Sequence, residues 1–147
     1  MASSPTSYQL ILQWMYRRLP MYQRLGAAAM RPGLNNILTL CAHFNQPQHS
    51  FKSIHIAGTN GKGSVSHGLS AVFQTAGYKT GLYTSPHLKS FRERIRVNGN
   101  KITKKAVVDF IKTHQAFFEQ GSYSFFEITF VMALWYFRQQ QVQVAII

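Results

Sequence analysis

Residues 54–64 read Ile-His-Ile-Ala-Gly-Thr-Asn-Gly-Lys-Gly-Ser, and these residue types at this spacing can hold a polyphosphate. Gly58, Gly61 and Gly63 take Cβ atoms out of a short loop and open positive φ to it, so successive backbone N–H groups can converge on one anion. Lys62 adds a mobile ammonium that can reach β- and γ-phosphate oxygens, and Ser64 adds a hydroxyl for a phosphate or a magnesium ion. A helix opening behind the loop aims its positive end at the same place. The usual phosphate-loop pattern is broken at two positions: Ile56 stands where its first glycine belongs, and Gly63 stands where Ser or Thr should follow the lysine. A glycine-rich turn that joins strand to helix and binds nothing is the alternative reading of the same residues.

Stepping outward from the loop, the apolar run that begins at Ile54 predicts a buried strand. Val65, Leu69, Val72, Phe73 and Ala76 predict a helix from Ser64 with these side chains on one face. Gly77 stands where a left-handed cap would end that helix, and residues 79–83 read as a second strand. A strand–helix–strand unit crosses over right-handed in nearly every sheet, and ligands gather at the carboxyl ends of open α/β sheets. The end of the second strand, with Ser85 just past it, is therefore expected beside the glycine loop. Taken alone, Ser85 reads better as an ordinary turn serine ahead of Pro86.

At this point the sequence resembles a known family. Gly58-Thr59-Asn60-Gly61-Lys62-Gly63-Ser64 is similar to the P-loop of the Mur-ligase superfamily, and a glycine after the lysine resembles its folate branch, the folylpolyglutamate and dihydrofolate synthases. Tyr83-Thr84-Ser85-Pro86-His87-Leu88 and Phe91-Arg92-Glu93-Arg94-Ile95-Arg96-Val97-Asn98-Gly99 resemble the second signature of that branch. Leu19-Pro20-Met21-Tyr22-Gln23-Arg24, Gln46-Pro47-Gln48 and Phe51-Lys52 resemble the segments leading into its first strand. The likeness covers nearly the whole chain.

The resemblance implies a P-loop-containing α/β fold, a mostly parallel sheet with flanking helices, in which residues 1–147 form the N-terminal part of an ATP-binding Mur-ligase-like domain. It implies ATP and Mg2+ as cofactors, with Gly58, Thr59, Asn60, Gly61, Lys62, Gly63 and Ser64 binding ATP and Ser85 acting as a magnesium ligand. It implies dihydropteroate or a folate, together with L-glutamate, as small-molecule substrates. ATP would phosphorylate a carboxylate, and glutamate would attack the acyl phosphate to give an amide. No catalytic side chain is assigned within these residues. In the family an acidic magnesium-binding residue, a histidine metal ligand, a modified lysine, the rest of the ATPase domain and a C-terminal domain follow the last apolar run. The expectation is thus a fragment, inactive alone. A peptidoglycan-precursor ligase of the same superfamily is the alternative enzyme, disfavoured by Gly63 and residues 85–88. Whether the full enzyme makes dihydrofolate, extends polyglutamate tails or does both is open.

Sixteen basic residues against four acidic ones give a formal charge of +12, and no acidic residue precedes Glu93. Such a field attracts nucleotides, polyglutamylated substrates and nucleic acid alike. A basic nucleotide- or nucleic-acid-binding module without ligase chemistry is therefore the non-enzyme reading, and nucleic acid is not expected once the family likeness is weighed. With 147 residues and 46% apolar content, one core and one domain are the prior. Cys41, the only cysteine, excludes a disulfide frame and reads as a core thiol. Residues 130–137 are the longest apolar run and are too short to span a bilayer, and no secretory segment is evident, so the cytosol is the default. Ser3, Ser4, Arg17, Arg18 and Arg24 without any acid resemble a transit peptide, against which the family-like residues 21–24 argue.

The remaining elements follow from periodicity. Tyr8, Ile11, Leu12, Met15, Tyr16 and Leu19 predict a first helix, capped from residues 3–7 and stopped by Pro20. A connector with Gly26 and Pro32-Gly33 leads to a second helix from Leu34 to about Asn45, its apolar face Leu34, Ile37, Leu38 and Cys41. His43 and His49 read as surface or capping residues, and His55 as a satisfied core histidine. Alternation over residues 91–97 predicts a strand with Arg92, Arg94 and Arg96 on one face. In the family this region lies near the folate-side substrate; a solvent-facing stripe is the other reading. Asn98-Gly99 predicts a hairpin. Thr103 is expected to cap a helix carrying Val107, Phe110, Ile111, His114 and Phe118. Ser124 and Glu127 form a capping box for a helix through Ile128, Val131, Leu134, Trp135 and Phe137, which makes Glu127 structural. Residues 142–147 read as a buried parallel strand.

Overall fold

A computed structural model describes residues 5–19 and 33–147. Pro20, residues 21–24, Gly26 and Pro32 lie outside them. The elements are α1 (Ser7–Arg18), α2 (Asn35–His43), β1 (Lys52–Ile54), α3 (Lys62–Thr75), β2 (Thr80–Tyr83), β3 (Ile95–Val97), β4 (Asn100–Lys101), α4 (Lys104–Gln120), α5 (Phe125–Gln139) and β5 (Val144–Ile146). They fall into two compact units, Met1–His43 with Lys104–Met132 and Phe44–Thr103 with Ala133–Ile147. No helix among the described residues is long and apolar enough to cross a membrane.

The first unit is helical. Thr6 caps α1 in a reciprocal box: Gln9 N–H donates to Thr6 Oγ1 at 3.4 Å, and Thr6 N–H donates to Gln9 Oε1 at 2.7 Å. Ile11 and Met15, four apart, bury one stripe of α1, while α4 buries Val107, Phe110, Ile111 and Phe118 at helical spacing. Each such side chain removed from water contributes about 1.5–3 kcal/mol. The box expected at α5 is present, with Ser124 N–H donating to Glu127 Oε2 at 2.7 Å and Glu127 N–H donating to Ser124 Oγ at 3.2 Å. Glu127 also accepts from Asn36 Nδ2 at 3.3 Å, so its carboxylate is occupied structurally. Cys41 is buried, which pushes its thiol pKa up.

The second unit holds a five-stranded sheet of order β1-β5-β2-β3-β4. β5 is parallel to both β1 and β2, whereas β2–β3 and β3–β4 are antiparallel. The sheet is mixed, parallel on the side that carries the glycine loop. Val144, Ala145 and Ile146 are all buried, as a central β-branched strand requires. Gly81 lies against the Phe137 ring, where an added Cβ would come within 2.9 Å of Cδ1. The hairpin is a left-handed pair, Asn98 at φ 46° and Gly99 at φ 75°, pairing Arg96 with Lys101 and Val97 with Asn100.

Four expectations change here. The first strand lies earlier than the apolar run, and Lys52 and Ser53 are exposed with only Ile54 half-buried. β1 is an edge strand with β5 as its one neighbour, so it needs no apolar run on both faces. His55, just beyond it, is exposed and is not a core histidine. The helix after the loop opens at Lys62, and its contact stripe runs through Ser66, Leu69, Ser70 and Phe73. Val65 and Val72, about a quarter-turn away from that stripe, remain 51% and 63% exposed. Ser66 can be buried because its hydroxyl donates to Lys62 O at 2.8 Å, and Ser70 because its hydroxyl accepts from Gln74 Nε2 at 2.9 Å. Finally, residues Phe91–Arg94 form a 3-10 turn and only Ile95–Val97 are extended. The cause is Glu93, whose carboxylate accepts from the backbone of Leu88 at 3.0 Å, Lys89 at 3.3 Å and Ser90 at 3.1 Å and curls the chain around itself.

Candidate phosphate-binding site

The loop begins where the parallel ladder ends. Ile147 N–H donates to Ile54 O at 2.9 Å and Ile56 N–H donates to Ile147 O at 2.7 Å, which holds the chain straight two residues past β1. Gly58 at φ 148° and Gly61 at φ 76° then turn it into α3. Gly61 is the N-cap and offers no side-chain acceptor. The first intrahelical bond is Val65 N–H to Gly61 O at 3.0 Å, so the N–H groups of Lys62, Gly63 and Ser64 have no intrahelical partner. The first turn has no acidic residue to neutralise them. Residues 58–64 are all exposed. The arrangement is a set of unpaired donors at the positive end of a 14-residue helix, suited to an oxyanion.

Lys62 lies across this loop. Its Nζ donates to the carbonyls of Gly58 and Thr59, the latter at 3.0 Å, which leaves one ammonium hydrogen for a ligand. Gly63 differs from its neighbours. Its φ is not left-handed, and a Cβ built on it meets nothing within 4 Å. The expectation that all three glycines supply positive φ thus holds at Gly58 and Gly61 and fails at Gly63, which is an ordinary helical residue.

Ser85 is on a separate loop after β2, and β5 stands between β2 and β1. The second strand therefore does not adjoin the glycine strand, because the chain returns at residues 144–146 to fill the gap. Ser85 Oγ accepts from Arg94 Nη1 at 2.8 Å, and Arg94 Nε donates to His87 Nδ1 at 2.8 Å. Arg94 is 4% exposed, and its carbonyl accepts from Thr84 N–H at 3.0 Å. His87 accepts at Nδ1 as a neutral ring, and burial followed by the Arg94 charge lowers its pKa. One lone pair of Ser85 Oγ remains for another partner.

Arg94 is the functional-looking residue that the sequence did not single out. Alternation groups it with Arg92 and Arg96, and only the 3-10 turn separates them. Arg92 Nε instead donates to Ile102 O at 2.5 Å and Arg96 Nη1 to Gly99 O at 3.3 Å. The three arginines do not form one row. His43 is exposed, stacks on Phe117 at 3.7 Å and meets His114 Nδ1 through its Nε2 at 3.0 Å. His49 is exposed. No group of three His, Cys, Asp or Glu side chains able to hold a metal occurs among the described residues.

No family model matches the chain. The chain is 40% identical over 118 residues to the folylpolyglutamate synthase of Lacticaseibacillus casei, covering 76% of this chain and 28% of that protein. It is 36% identical over 140 residues to the dihydrofolate synthase/folylpolyglutamate synthase of Bacillus subtilis, covering 91% of this chain and 31% of that protein. Among solved structures, an FPGS–AMPPCP–folate complex superposes with a TM-score of 0.83 at 31% identity, over 97% of this chain and 35% of that one. The chain is homologous to one segment of the folylpolyglutamate and dihydrofolate synthases. It spans less than a third of the length of these two curated synthases.

Proposed function

We propose that this chain is the ATP-binding segment of a ligase that joins L-glutamate to dihydropteroate or a folate. The observation that carries the reading is the glycine loop, with its unpaired helix N–H groups and Lys62 laid across it, in a chain that superposes on a synthase bound to AMPPCP and folate. Gly58, Thr59, Asn60, Gly61, Lys62, Gly63 and Ser64 bind the phosphates. The backbone donors and the Lys62 ammonium hold negative charge that shifts as the terminal phosphoryl group moves to the substrate carboxylate. Glutamate nitrogen then attacks the acyl phosphate carbonyl and phosphate leaves, forming the amide.

Magnesium accompanies the nucleotide in this proposal and supplies charge neutralisation on the phosphates. Ser85 fits as one neutral ligand through its remaining lone pair, and Ser64 offers a second hydroxyl. A hard dication prefers carboxylate or phosphate oxygen and water, so these hydroxyls are a minority of its donor set. The binding segment is assigned to the N-terminal part of the synthase and to the cytoplasm.

The test is nucleotide binding by the purified chain, measured by calorimetry with Lys62→Ala as the comparison. The expected outcome is a loss of about tenfold or more in affinity with unchanged thermal unfolding. Equal affinity of the two proteins would remove the loop from the proposal. The formal charge of +12 favours one other reading, a nucleic-acid-binding module. Steeply salt-dependent retention of DNA with no nucleotide protection would select it.

A further inference from the structure

The second unit carries another cleft, and nothing in the nucleotide reading uses it. Two turns form its walls, one around residues 49–52 and one around residues 138–143, and it is a wide, open depression of about 670 Å3. Lys52 opens β1 and Gln143 immediately precedes β5, so the cleft is at the amino ends of two parallel strands, of which β1 leads at its carboxyl end into the glycine loop. The lining includes His49, Ser50, Lys52, Arg138, Gln141 and Gln143, and no Asp or Glu.

Arg138, Lys52 and Gln143 present donors here. Arg138 Nη1 donates to Phe44 O at 3.3 Å and Asn45 O at 3.1 Å, tying one wall to the chain that leads into the other. Its Nε and Nη2 make no hydrogen bond with the described residues. The Gln143 carbonyl oxygen is taken by Lys79 N–H at 2.8 Å, which leaves its amide NH2 to offer. The Lys52 ammonium is exposed and without an acidic partner among the described residues. Gln141 in one wall adopts a left-handed φ of 53°, as do Asn45 and Gln46 ahead of the other at 57° and 51°, a conformation that costs a non-glycine residue free energy and persists only where its surroundings fix it.

We infer that this cleft is a second anion site, taking a compact multivalent oxyanion, phosphoryl or carboxylate in kind, at the opposite end of the parallel strands from the nucleotide loop. Two cations, amide donors and a hydroxyl on an open surface with no lining carboxylate favour an anion over a cation. The inference stands on the cleft residues and does not depend on the nucleotide reading.

The experiment is titration of the 15N-labelled 147-residue chain with inorganic pyrophosphate and, separately, citrate, followed through its backbone amides. Saturable shifts are expected at residues 49–52 and 138–143, retained in Lys62→Ala and weakened about tenfold in Lys52→Gln. Tighter binding of pyrophosphate assigns the phosphoryl class, and tighter binding of citrate the carboxylate class. Arg138→Gln should weaken binding as well. Should that variant unfold through loss of its carbonyl contacts, the exposed Lys52 variant decides. Shifts confined to residues 58–64, shifts that never saturate, or equal affinity in Lys52→Gln would overturn the inference.

Discussion

At the scale of single residues, the informative position is the glycine the fold does not need. Gly58 and Gly61 are required by their φ values, but Gly63 is helical with open space around its Cα. Alanine there should leave the fold intact and stabilise α3 by about 0.5–1 kcal/mol through reduced backbone entropy. If a phosphate approaches the helix terminus closely, the same methyl group will weaken nucleotide binding. Gly63→Ala is thus expected to raise the unfolding midpoint and lower ATP affinity together; a variant that gains stability and binds nucleotide as before would show that glycine is not there for the ligand.

Glu93 offers a second test at this scale. Backbone N–H groups of Leu88 and then Lys89, aided by Lys101, lower its pKa from 4.5 to about 2. A carboxylate depressed in the folded state contributes fully above its unfolded value and loses its contribution as pH falls through the folded one. The hold of Glu93 on residues 88–90 should therefore persist at pH 4.5 and fade toward pH 2. Carboxyl chemical shifts through an acid titration read this directly, and a midpoint near 4.5 would contradict the hydrogen-bonded geometry.

At the scale of elements, β2 and α5 meet where Gly81 faces Phe137. A Cβ there approaches the ring carbons to 2.9–3.0 Å, closer than side chains settle without displacement. Gly81→Ala is expected to destabilise the chain by about 1–3 kcal/mol, as overpacking does. Urea unfolding gives the number, and pairing with Phe137→Leu should recover part of it. Full stability in the single variant would mean that the strand and the helix are free to separate at this point.

For the whole molecule, the isolated chain is expected to bind nucleotide and form no amide bond. The described residues gather no carboxylate or histidine cluster for a metal, and Ser85 shares its hydroxyl with a guanidinium. The assay is ATP-dependent joining of L-glutamate to dihydropteroate or a reduced folate, with Lys62→Ala beside it. Turnover that vanishes in the variant would show that these 147 residues are sufficient.

The glycine loop, the hairpin at Asn98-Gly99, the α5 capping box and the buried strand near residues 144–146 were legible in the sequence. Each is specified by residue types acting on their own neighbours: positive φ at glycine and asparagine, Ser-x-x-Glu reciprocity, an apolar run rich in β-branched residues. Only the tertiary structure decided that β5 inserts between β1 and β2, since a parallel pairing joins residues some ninety positions apart and leaves no local pattern. The same holds for His55, whose exposure depends on β1 being an edge. Arg94 was hidden because its burial follows from Glu93 curling residues 91–94 into a turn, after which one arginine of three points inward to His87 and Ser85. Periodicity assigns a residue to a face of an element, but which face is covered is settled by what packs there.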